Sequence, residues 1–305
     1  MNLRDLSYLV AVAETGHFGR AAEHCFVSQP TLSNQIKKLE KSLGVTLFER
    51  TNRSVRVTPV GEVIIEHARR SIQEAEAIKH IAEGFHDPFS GPLRLGAIPT
   101  LSPYLIPLIL KPLRERYPKL QLALTDEVTA SLTDKLANHE IDAALLATPI
   151  KAPGYDSLLL FDEPFWLAHL SKHPLYTKDE ISCEDLAEVE MLLLSDVHCL
   201  SGQIMSVCPH QRSSQEYLRA FGMETLIRLV AAGYGCTLVP ALTVHGSGLI
   251  GSGVIARKLE IPTAFRRIRL VYRSSFPRKT MLQGLAQLID EQLPNTVRRL
   301  DADME

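Results

Sequence analysis

The sequence has 305 residues, more than one ordinary hydrophobic core supports, so two or three domains are expected. Its composition is globular, and a net charge of −2 gives no overall sign of a nucleic-acid partner. No apolar run approaches the roughly 18 residues of a membrane span, and the start, MNLRDLSYLVAVAETG, lacks the pattern of a signal peptide. We therefore expect a cytoplasmic protein with no membrane partner, whose five cysteines are not a disulfide framework.

The first sixty residues differ in charge from the rest of the chain. They hold eight Arg and Lys side chains against five Asp and Glu side chains, a local net charge of +3. The remainder of the chain is acidic. This asymmetry favours an N-terminal part that faces an anionic partner.

Three short helical patterns follow one another in this segment, and the third is the informative one. It begins with Ser28, which suits an N-cap, and Pro30, which suits a first turn. One face is apolar, while the other has amide, hydroxyl and ammonium groups that pair with base edges and phosphates in a major groove. The polar face consists of Gln29, Thr31, Ser33, Asn34, Gln35, Lys37 and Lys38.

Residues 50–61, RTNRSVRVTPVG, alternate in the manner of a small two-stranded wing. Arg50, Arg53 and Arg56 are placed there for phosphates or a minor groove. Two helices, a tight turn and a polar third helix are typical of a helix-turn-helix domain. A small solvated three-helix bundle is the alternative that the pattern alone leaves open.

Several stretches of this segment also resemble a known protein family residue by residue. SQPTLSNQIKKLEKSLGVTLFER at 28–50, the alanines at 21–22 and TPVGE at 58–62 resemble the winged helix-turn-helix of LysR-type transcriptional regulators. The resemblance implies a DNA-binding domain at 1–58 that binds double-stranded promoter DNA and works with RNA polymerase. It implies DNA contacts from Gln29, Pro30, Thr31, Ser33, Asn34 and Lys38, with Arg50 and Arg53 on the backbone.

A long helix is predicted from Pro59 to about Phe85, and we assign 59–86 as a linker. Its small and apolar residues alternate at spacings of four and three, which indicates a two-helix coiled coil between chains. The alternative is a helix packed on its own domain. The seam consists of Ile64, Ala68, Ser71, Ala75, Ile78, Ala82 and Phe85. It predicts a homodimer, and the family resemblance implies a dimer of dimers, a homotetramer.

Strands and helices alternate in residues 87–305, which predicts a parallel α/β regulatory domain. The expected strands are 94–98, 120–127, 141–147, 165–170, 190–195, 235–241 and 267–273, with a closing helix at about 278–292. The family resemblance implies two lobes like those of periplasmic binding proteins. Lobe I is placed at about 92–162 and 267–305 and lobe II at about 163–266, with crossings near Phe161–Phe165 and Phe265–Ile268.

Two threonines are expected at the cleft between these lobes, because ligands in such sheets lie beyond the carboxyl ends of strands. Thr100 follows the first predicted strand and Thr129 follows the second. Their hydroxyls would hold a small polar molecule, or each would simply cap its helix. Ser102 is expected to be the N-cap of the first helix, with Pro103 at its first position.

The stretch HCLSGQIMSVC, 198–208, contains two cysteines that allow several readings. Cys199 and Cys208 would be buried apolar fillers, zinc ligands with His198 and His210, a peroxidase nucleophile and its partner, or a redox switch. The C-x8-C spacing is not that of a zinc site, and we expect no metal and no cofactor. In a helix the two Cα atoms would be about 13 Å apart, whereas a disulfide needs less than about 7 Å.

LLLSDVHCLSGQIMSVC, followed by ETLIRLVAAGYGCTLVPALTV, resembles the peroxide-sensing members of the same family. This implies that hydrogen peroxide oxidises Cys199 to a sulfenic acid and that Cys208 then forms a disulfide with it. It also implies that Thr100 and Thr129 bind peroxide, and that a glutaredoxin-type or thioredoxin-type reductant restores the thiols.

The same resemblance implies that His198 sits beside the reactive thiol and that Arg266 is a cation favouring the thiolate; a solvated surface charge is the alternative for Arg266. One departure is Gly202, where the family pattern has an acidic residue. The remaining cysteines, Cys25, Cys183 and Cys236, are interpreted as packing residues.

The resulting hypothesis is a transcription factor that senses peroxide and is not an enzyme. Two rivals are a LysR-type regulator of a small metabolite with inert thiols, and a thiol peroxidase with an accessory DNA-binding domain.

Overall fold

The computed structural model describes residues 1–50, 55–84, 87–207, 212–213, 219–245, 249 and 251–300. Two compact units make up the chain, Met1–Phe85 and His86–Glu305. Arg53, Cys208 and His210 lie outside the described residues, as does the side chain of Arg50. Among the described helices, none combines the length and the apolar character needed to cross a bilayer.

The first unit is the predicted winged helix-turn-helix. Its helices pack around an apolar core, and the two strands of the wing pair antiparallel. The elements are α1 (Leu3–Thr15), α2 (Phe18–His24), α3 (Gln29–Leu43), β1 (Phe48–Arg50), β2 (Val55–Val57) and α4 (Pro59–Gly84).

Helix α3 has the N-cap and the buried apolar face that the sequence predicts. The Ser28 hydroxyl accepts a hydrogen bond from the Thr31 backbone N–H at 3.3 Å, as expected of an N-cap. Leu32 and Ile36 are fully buried on the inner face. Burying this apolar stripe fixes α3 on the unit and leaves its polar face outward.

Only part of the predicted seam on α4 is available to a second chain. Ala68 is 3% exposed in the core of the first unit, and Ile64 packs against that core. The reading of α4 as packed on its own domain is therefore correct for its first half. Ile78 further along is 68% exposed, and the side chains of Ala82 and Phe85 lie outside the described residues.

The second unit is an α/β domain. Its helices are α5 (Ser102–Arg116), α6 (Thr129–Ala137), α7 (Cys183–Glu188), α8 (Cys199–Val207), α9 (Met223–Ala231) and α10 (Lys279–Gln292), with 3-10 helices at Pro174–Thr177 and Ala241–His245. Its strands are β3 (Gly91–Ala97), β4 (Leu120–Asp126), β5 (Ala143–Leu146), β6 (Tyr155–Leu170), β7 (Glu190–Met191), β8 (Leu193–Leu194), β9 (Arg212–Ser213), β10 (Arg219–Ala220), β11 (Thr237–Pro240), β12 (Val254–Lys258), β13 (Phe265–Arg273) and β14 (Arg298–Arg299).

The main sheet has the order β11-β6-β13-β5-β3-β4. β3 runs parallel to β4 and β5, whereas β13 runs antiparallel to β5 and β6. The predicted parallel arrangement is found for β3, β4 and β5, and the antiparallel strands β6 and β13 make the whole sheet mixed. The reason is topological: the chain leaves the first lobe along β6 and returns along β13, so these neighbours must run in opposite directions.

Two apolar cores define the two lobes. Phe161 and Ile268 belong to the first core, while Phe165 and Ala264 belong to the second. The chain thus passes from one core to the other inside β6 and again at the start of β13. The domain and lobe boundaries given above remain predictions.

Two local expectations were wrong. The predicted strand 190–195 is two short strands with different partners, β7 with β9 and β8 with β10. Ser102 is not an N-cap but the first residue of α5, which follows Leu101 and has no side-chain cap. The Ser102 side chain instead hydrogen-bonds the carboxyl group of Asp126 at the end of β4.

Candidate functional site

The register of the parallel strands places the two predicted threonines at equivalent positions. Ala97 of β3 is paired with Asp126 of β4. Thr100 and Thr129 each lie three residues beyond this pair, past the carboxyl ends of adjacent strands. Neither caps its helix, because α5 and α6 both begin without a side-chain cap hydrogen bond. The capping alternative is thus excluded for both residues.

Thr100 is held by a buried cation. Arg266 donates from Nη1 to Thr100 Oγ1 at 2.7 Å and from Nη2 to the Thr100 carbonyl at 2.9 Å. Its guanidinium also pairs with Glu163 at 2.8 Å, and both side chains are 0% exposed. Arg266 is therefore not a solvated surface charge. Glu163 is held in turn by the backbone N–H of Leu242 at 2.9 Å, so this buried ion pair is also hydrogen-bonded on its far side.

Buried polar atoms without partners mark the same region. Thr129 Oγ1 and Gln203 Oε1 are buried and make no hydrogen bond in the structure. The other end of the Gln203 amide donates from Nε2 to the Ala147 carbonyl at 2.9 Å. Orphaned buried acceptors are costly and uncommon. A small polar ligand that donates hydrogen bonds would satisfy them.

Cys199 opens α8 and bridges the lobes. It is half-buried, is a free thiol and packs against the apolar core of the first lobe. Other residues of α8, Leu200 and Ile204, are fully buried in the core of the second lobe. The sulfur therefore lies where the two lobes meet, at the N-terminal end of a helix, where backbone N–H groups favour anions.

The imidazole ring of His198 contacts the backbone of the second lobe. Its Nε2 atom is 3.0 Å from the carbonyl oxygen of Phe221, and the side chain is 8% exposed. Burial raises the pKa of the Asp126 carboxyl, while its hydrogen bond with Ser102 and the charge of His198 lower it. His198 thus lies close enough to the ends of β3 and β4 to influence them electrostatically.

The cysteines differ in state. Cys25, Cys199 and Cys236 are free, whereas Cys183 is disulfide-bonded. Cys183 nevertheless packs against the core of the second lobe, as a packing residue would. Cys236 fits that interpretation, since it is fully buried and burial raises its pKa to about 12. Within the described ranges no group of three metal-ligating side chains is found.

The DNA-binding residues predicted on α3 lie at the surface of the helix. Gln29, Pro30, Thr31, Asn34 and Lys38 are exposed, and Ser33 is half-buried. Phe26 is 96% exposed in the turn before α3. Its backbone has φ 54°, a left-handed conformation uncommon for an aromatic residue.

Sequence reasoning missed three residues of the site. Glu163 lies in FDEPFWLA, an apolar run interrupted by two acids, which is a usable signal for a buried charge pair. Asp126 has no comparable signal, because its role depends on the pairing of β3 with β4. Gln203 was missed because its amide reaches the first lobe only in the folded chain.

Comparison with known proteins identifies the family. Residues 3–62 match the family model "Bacterial regulatory helix-turn-helix protein, lysR family", and residues 86–294 match "LysR substrate binding domain". A similar curated protein is the hydrogen peroxide-inducible genes activator of Dickeya chrysanthemi, 40% identical over 99% of both chains.

Two solved structures are also similar. Full-length OxyR of Pseudomonas aeruginosa, with a cysteine-to-aspartate substitution, has a TM-score of 0.80 and 35% identity, covering 100% of this chain and 99% of its own. A cysteine-to-serine mutant of Corynebacterium glutamicum OxyR, bound to hydrogen peroxide, has a TM-score of 0.66 and 35% identity over 95% and 92%. On both domain matches and full-length similarity, the chain belongs to the LysR family of DNA-binding transcriptional regulators, which are not enzymes.

Proposed function

We propose that this protein is a transcriptional activator that senses hydrogen peroxide through a disulfide between Cys199 and Cys208. The observation that carries the proposal is the position of Cys199. Its free thiol opens α8 against the first-lobe core, in the same domain as the buried Arg266–Thr100 contact and the orphaned Thr129 hydroxyl. The peroxide-related names of similar proteins support the same ligand.

The chemistry takes two steps. The Cys199 thiolate attacks one peroxide oxygen, an S–O bond forms, the O–O bond breaks, and the departing hydroxide takes a proton to become water. The Cys208 thiolate then attacks the sulfenic sulfur, an S–S bond forms, and the oxygen leaves as a second water. Two thiols are oxidised while one peroxide is reduced to two waters.

The second step requires α8 to unwind. Across intact α8 the Cα atoms of Cys199 and Val207 lie about 12 Å apart at 1.5 Å per residue. Because the next Cα atom is about 3.8 Å from that of Val207, Cys208 stays at least about 8 Å away, beyond the limit of about 7 Å for a disulfide. Bond formation and the described fold of α8 are therefore incompatible.

Unwinding α8 changes the contact between lobes. The helix holds the first lobe through the Gln203–Ala147 hydrogen bond and the packing of Cys199. Losing both frees the second lobe to shift, which gives a two-state change able to alter how paired chains present α3 to promoter DNA. A homodimer or homotetramer, RNA polymerase and a cytoplasmic thiol reductant complete the proposed system.

The direct test is mass mapping of the full chain after treatment with micromolar hydrogen peroxide. We expect a linked peptide containing Cys199 and Cys208 in the wild type, and none in Cys199→Ser. Cys25→Ser, which removes a thiol from the first unit, is the matched control and should behave as wild type. Absence of the 199–208 link in peroxide-treated wild type would overturn the proposal.

Metabolite sensing is the second candidate, and one observation favours it. Thr129 Oγ1 and Gln203 Oε1 are buried without a partner, and a small polar metabolite that donates hydrogen bonds would satisfy them. A metabolite-responsive protein would change DNA affinity without any change in thiol count. Peroxide titration of wild type and Cys199→Ser, with operator affinity as the readout, separates the two candidates. If peroxide changes the operator affinity of both proteins equally, the response does not act through the Cys199 thiol.

A further inference from the structure

Helix α2 ends in a Schellman motif, a turn in which two backbone N–H groups close over carbonyls of the last helical turn. The Phe26 N–H donates to the Glu23 carbonyl at 3.1 Å, and the Val27 N–H donates to the Ala22 carbonyl at 3.0 Å. Ala22 belongs to the apolar core of the first unit, and Val27 packs against that core. The motif requires a left-handed backbone at Phe26, where φ is 54°.

Phenylalanine is an unfavourable residue for this position. Glycine is usual there because it has no Cβ atom to clash in the left-handed conformation. In the same unit, Gly16 after α1 and Gly44 after α3 take this conformation. The ring of Phe26 also gains nothing from the core, since the residue is 96% exposed. A residue that stabilises neither the turn nor the core is explained by a contact with a partner.

The position of Phe26 in the fold indicates which partner. It lies two residues before Ser28, the N-cap of α3, and the first residues of the recognition helix face the major groove in helix-turn-helix domains. Gln29 and Thr31, which follow, are exposed as well. A phenyl ring has no hydrogen bond to offer a phosphate or a base edge, but it fits the C5-methyl group that thymine presents in this groove.

We propose that Phe26 makes an apolar contact with the C5-methyl group of a thymine in the operator and so helps to specify one T·A pair in each half-site. This inference rests on the DNA-binding part of the proposed function and is independent of its peroxide chemistry. The ring continues the exposed polar face of α3, so that hydrogen bonds and an apolar contact read neighbouring base pairs.

The test uses the full-length, reduced chain and a duplex that wild type selects from a random-sequence pool. One form of the duplex contains thymine, and the other contains uracil in its place, which lacks only the C5-methyl group. Phe26→Ala should bind the thymine duplex about tenfold more weakly than wild type, because each chain of the proposed dimer loses one apolar contact. On the uracil duplex the two proteins should bind within about twofold of each other, because the methyl group is already absent.

Three measurements separate this contact from a structural or an ionic effect. Phe26→Gly suits the left-handed backbone, so it should lose the same affinity while its midpoint of urea unfolding is at least that of wild type. Leu43→Ala removes a 37% exposed side chain about 21 Å along α3 from Gln29, and it should bind both duplexes as wild type does. Phe26→Ala should keep the wild-type slope of log affinity against log salt, since it removes no phosphate contact.

The outcomes that overturn the thymine contact are distinct from failure of the sensor. An equal loss on both duplexes, or wild-type affinity of Phe26→Ala for the thymine duplex, overturns the contact. A lower urea midpoint in Phe26→Gly would show that the ring is structural. A missing 199–208 link in oxidised wild type overturns the peroxide switch and leaves these titrations of the reduced chain unaffected. If wild type selects no duplex, DNA binding itself fails, and the thymine contact fails with it.

Discussion

Arg266 and Glu163 place opposite charges in the interior of the second unit, both with side chains 0% exposed. Their neighbours on the same two strands, Arg267 and Asp162, form a pair whose side chains are 32% and 11% exposed. The strand register makes the two pairs adjacent, Arg266 opposite Glu163 and Arg267 opposite Asp162. The chain therefore contains a buried ion pair and a partly solvated one in the same ladder.

This arrangement gives a prediction with its own control. Glu163→Gln leaves the Arg266 charge buried without a carboxylate, and we expect the free energy of unfolding to fall by about 3–5 kcal/mol. Asp162→Asn removes the carboxylate of the more exposed pair and should cost about 1 kcal/mol or less. Urea unfolding followed by circular dichroism measures both. Equal losses would contradict the assignment of a buried charge to this site.

A second residue-scale prediction concerns Cys236. Burial raises its pKa to about 12, so at pH 8 about one thiol in 10,000 is ionised, and thiolate is the reactive form. We expect Cys236 to resist iodoacetamide in the folded chain and to react only after unfolding. Mass spectrometry of alkylated peptides checks this. Cys25, which is half-buried, is the comparison and should be labelled before Cys236.

At the scale of elements, α8 is the part whose stability opposes the proposed disulfide. Gly202 lies in its interior, is exposed, and has open space where a Cβ atom would be. Glycine inside a helix costs about 1 kcal/mol relative to alanine. The departure from the family's acidic residue therefore weakens the helix that must unwind.

Gly202→Ala should consequently hinder the switch. Stabilising α8 by about 1 kcal/mol corresponds to roughly a fivefold shift in an equilibrium, so we expect about fivefold less 199–208 disulfide in a thiol–disulfide buffer. Ser206→Gly, on the exposed side of the same helix, should shift it the opposite way. Unchanged disulfide yields in both variants would show that α8 does not unwind when the bond forms.

Elements governed by local signals were predictable from the sequence. The N-cap at Ser28 and the buried stripe of Leu32 and Ile36 depend on neighbouring residues alone, and α3 has both. The direction of β13 and the division of 190–195 into two strands depend on distant partners. The first was not predicted, and the single strand predicted at 190–195 was wrong. For the same reason Thr100 and Arg266 were identified, while Glu163, which only folding brings to Arg266, was not.

At the scale of the whole molecule, the apolar residues exposed on α4 are a candidate interface between two copies of the chain. Val63 and Ile78 are 56% and 68% exposed on this helix. Exposed apolar residues on a long helix are a suitable surface for a second copy of the chain. We expect Ile78→Lys to weaken dimerisation at least tenfold in sedimentation equilibrium, because a buried ammonium has no partner in the seam.

The control is Glu76→Lys on the same helix. Residue 76 is two positions from Ile78, which turns its side chain about 200° away at 100° per residue. It introduces the same group without entering the seam and should leave the dimer intact. If both variants dimerise as wild type does, α4 is not the interface.

The salt dependence of DNA binding tests both the pairing of chains and the DNA contacts of α3. Lys38 is exposed on the polar face of α3, where an ammonium group reaches phosphate or guanine. Each phosphate contact adds about 0.9 to the slope of log affinity against log salt, and a dimer contributes the contact twice. We therefore expect Lys38→Gln to reduce that slope by about 2 in operator titrations, against about 1 for a protein that binds as a single chain. Lys111→Gln alters an 85% exposed lysine of the second unit and should leave the slope unchanged. A fall in the slope that is seen only with Lys38→Gln shows that α3 contacts DNA, and the size of the fall gives the number of chains that make the contact.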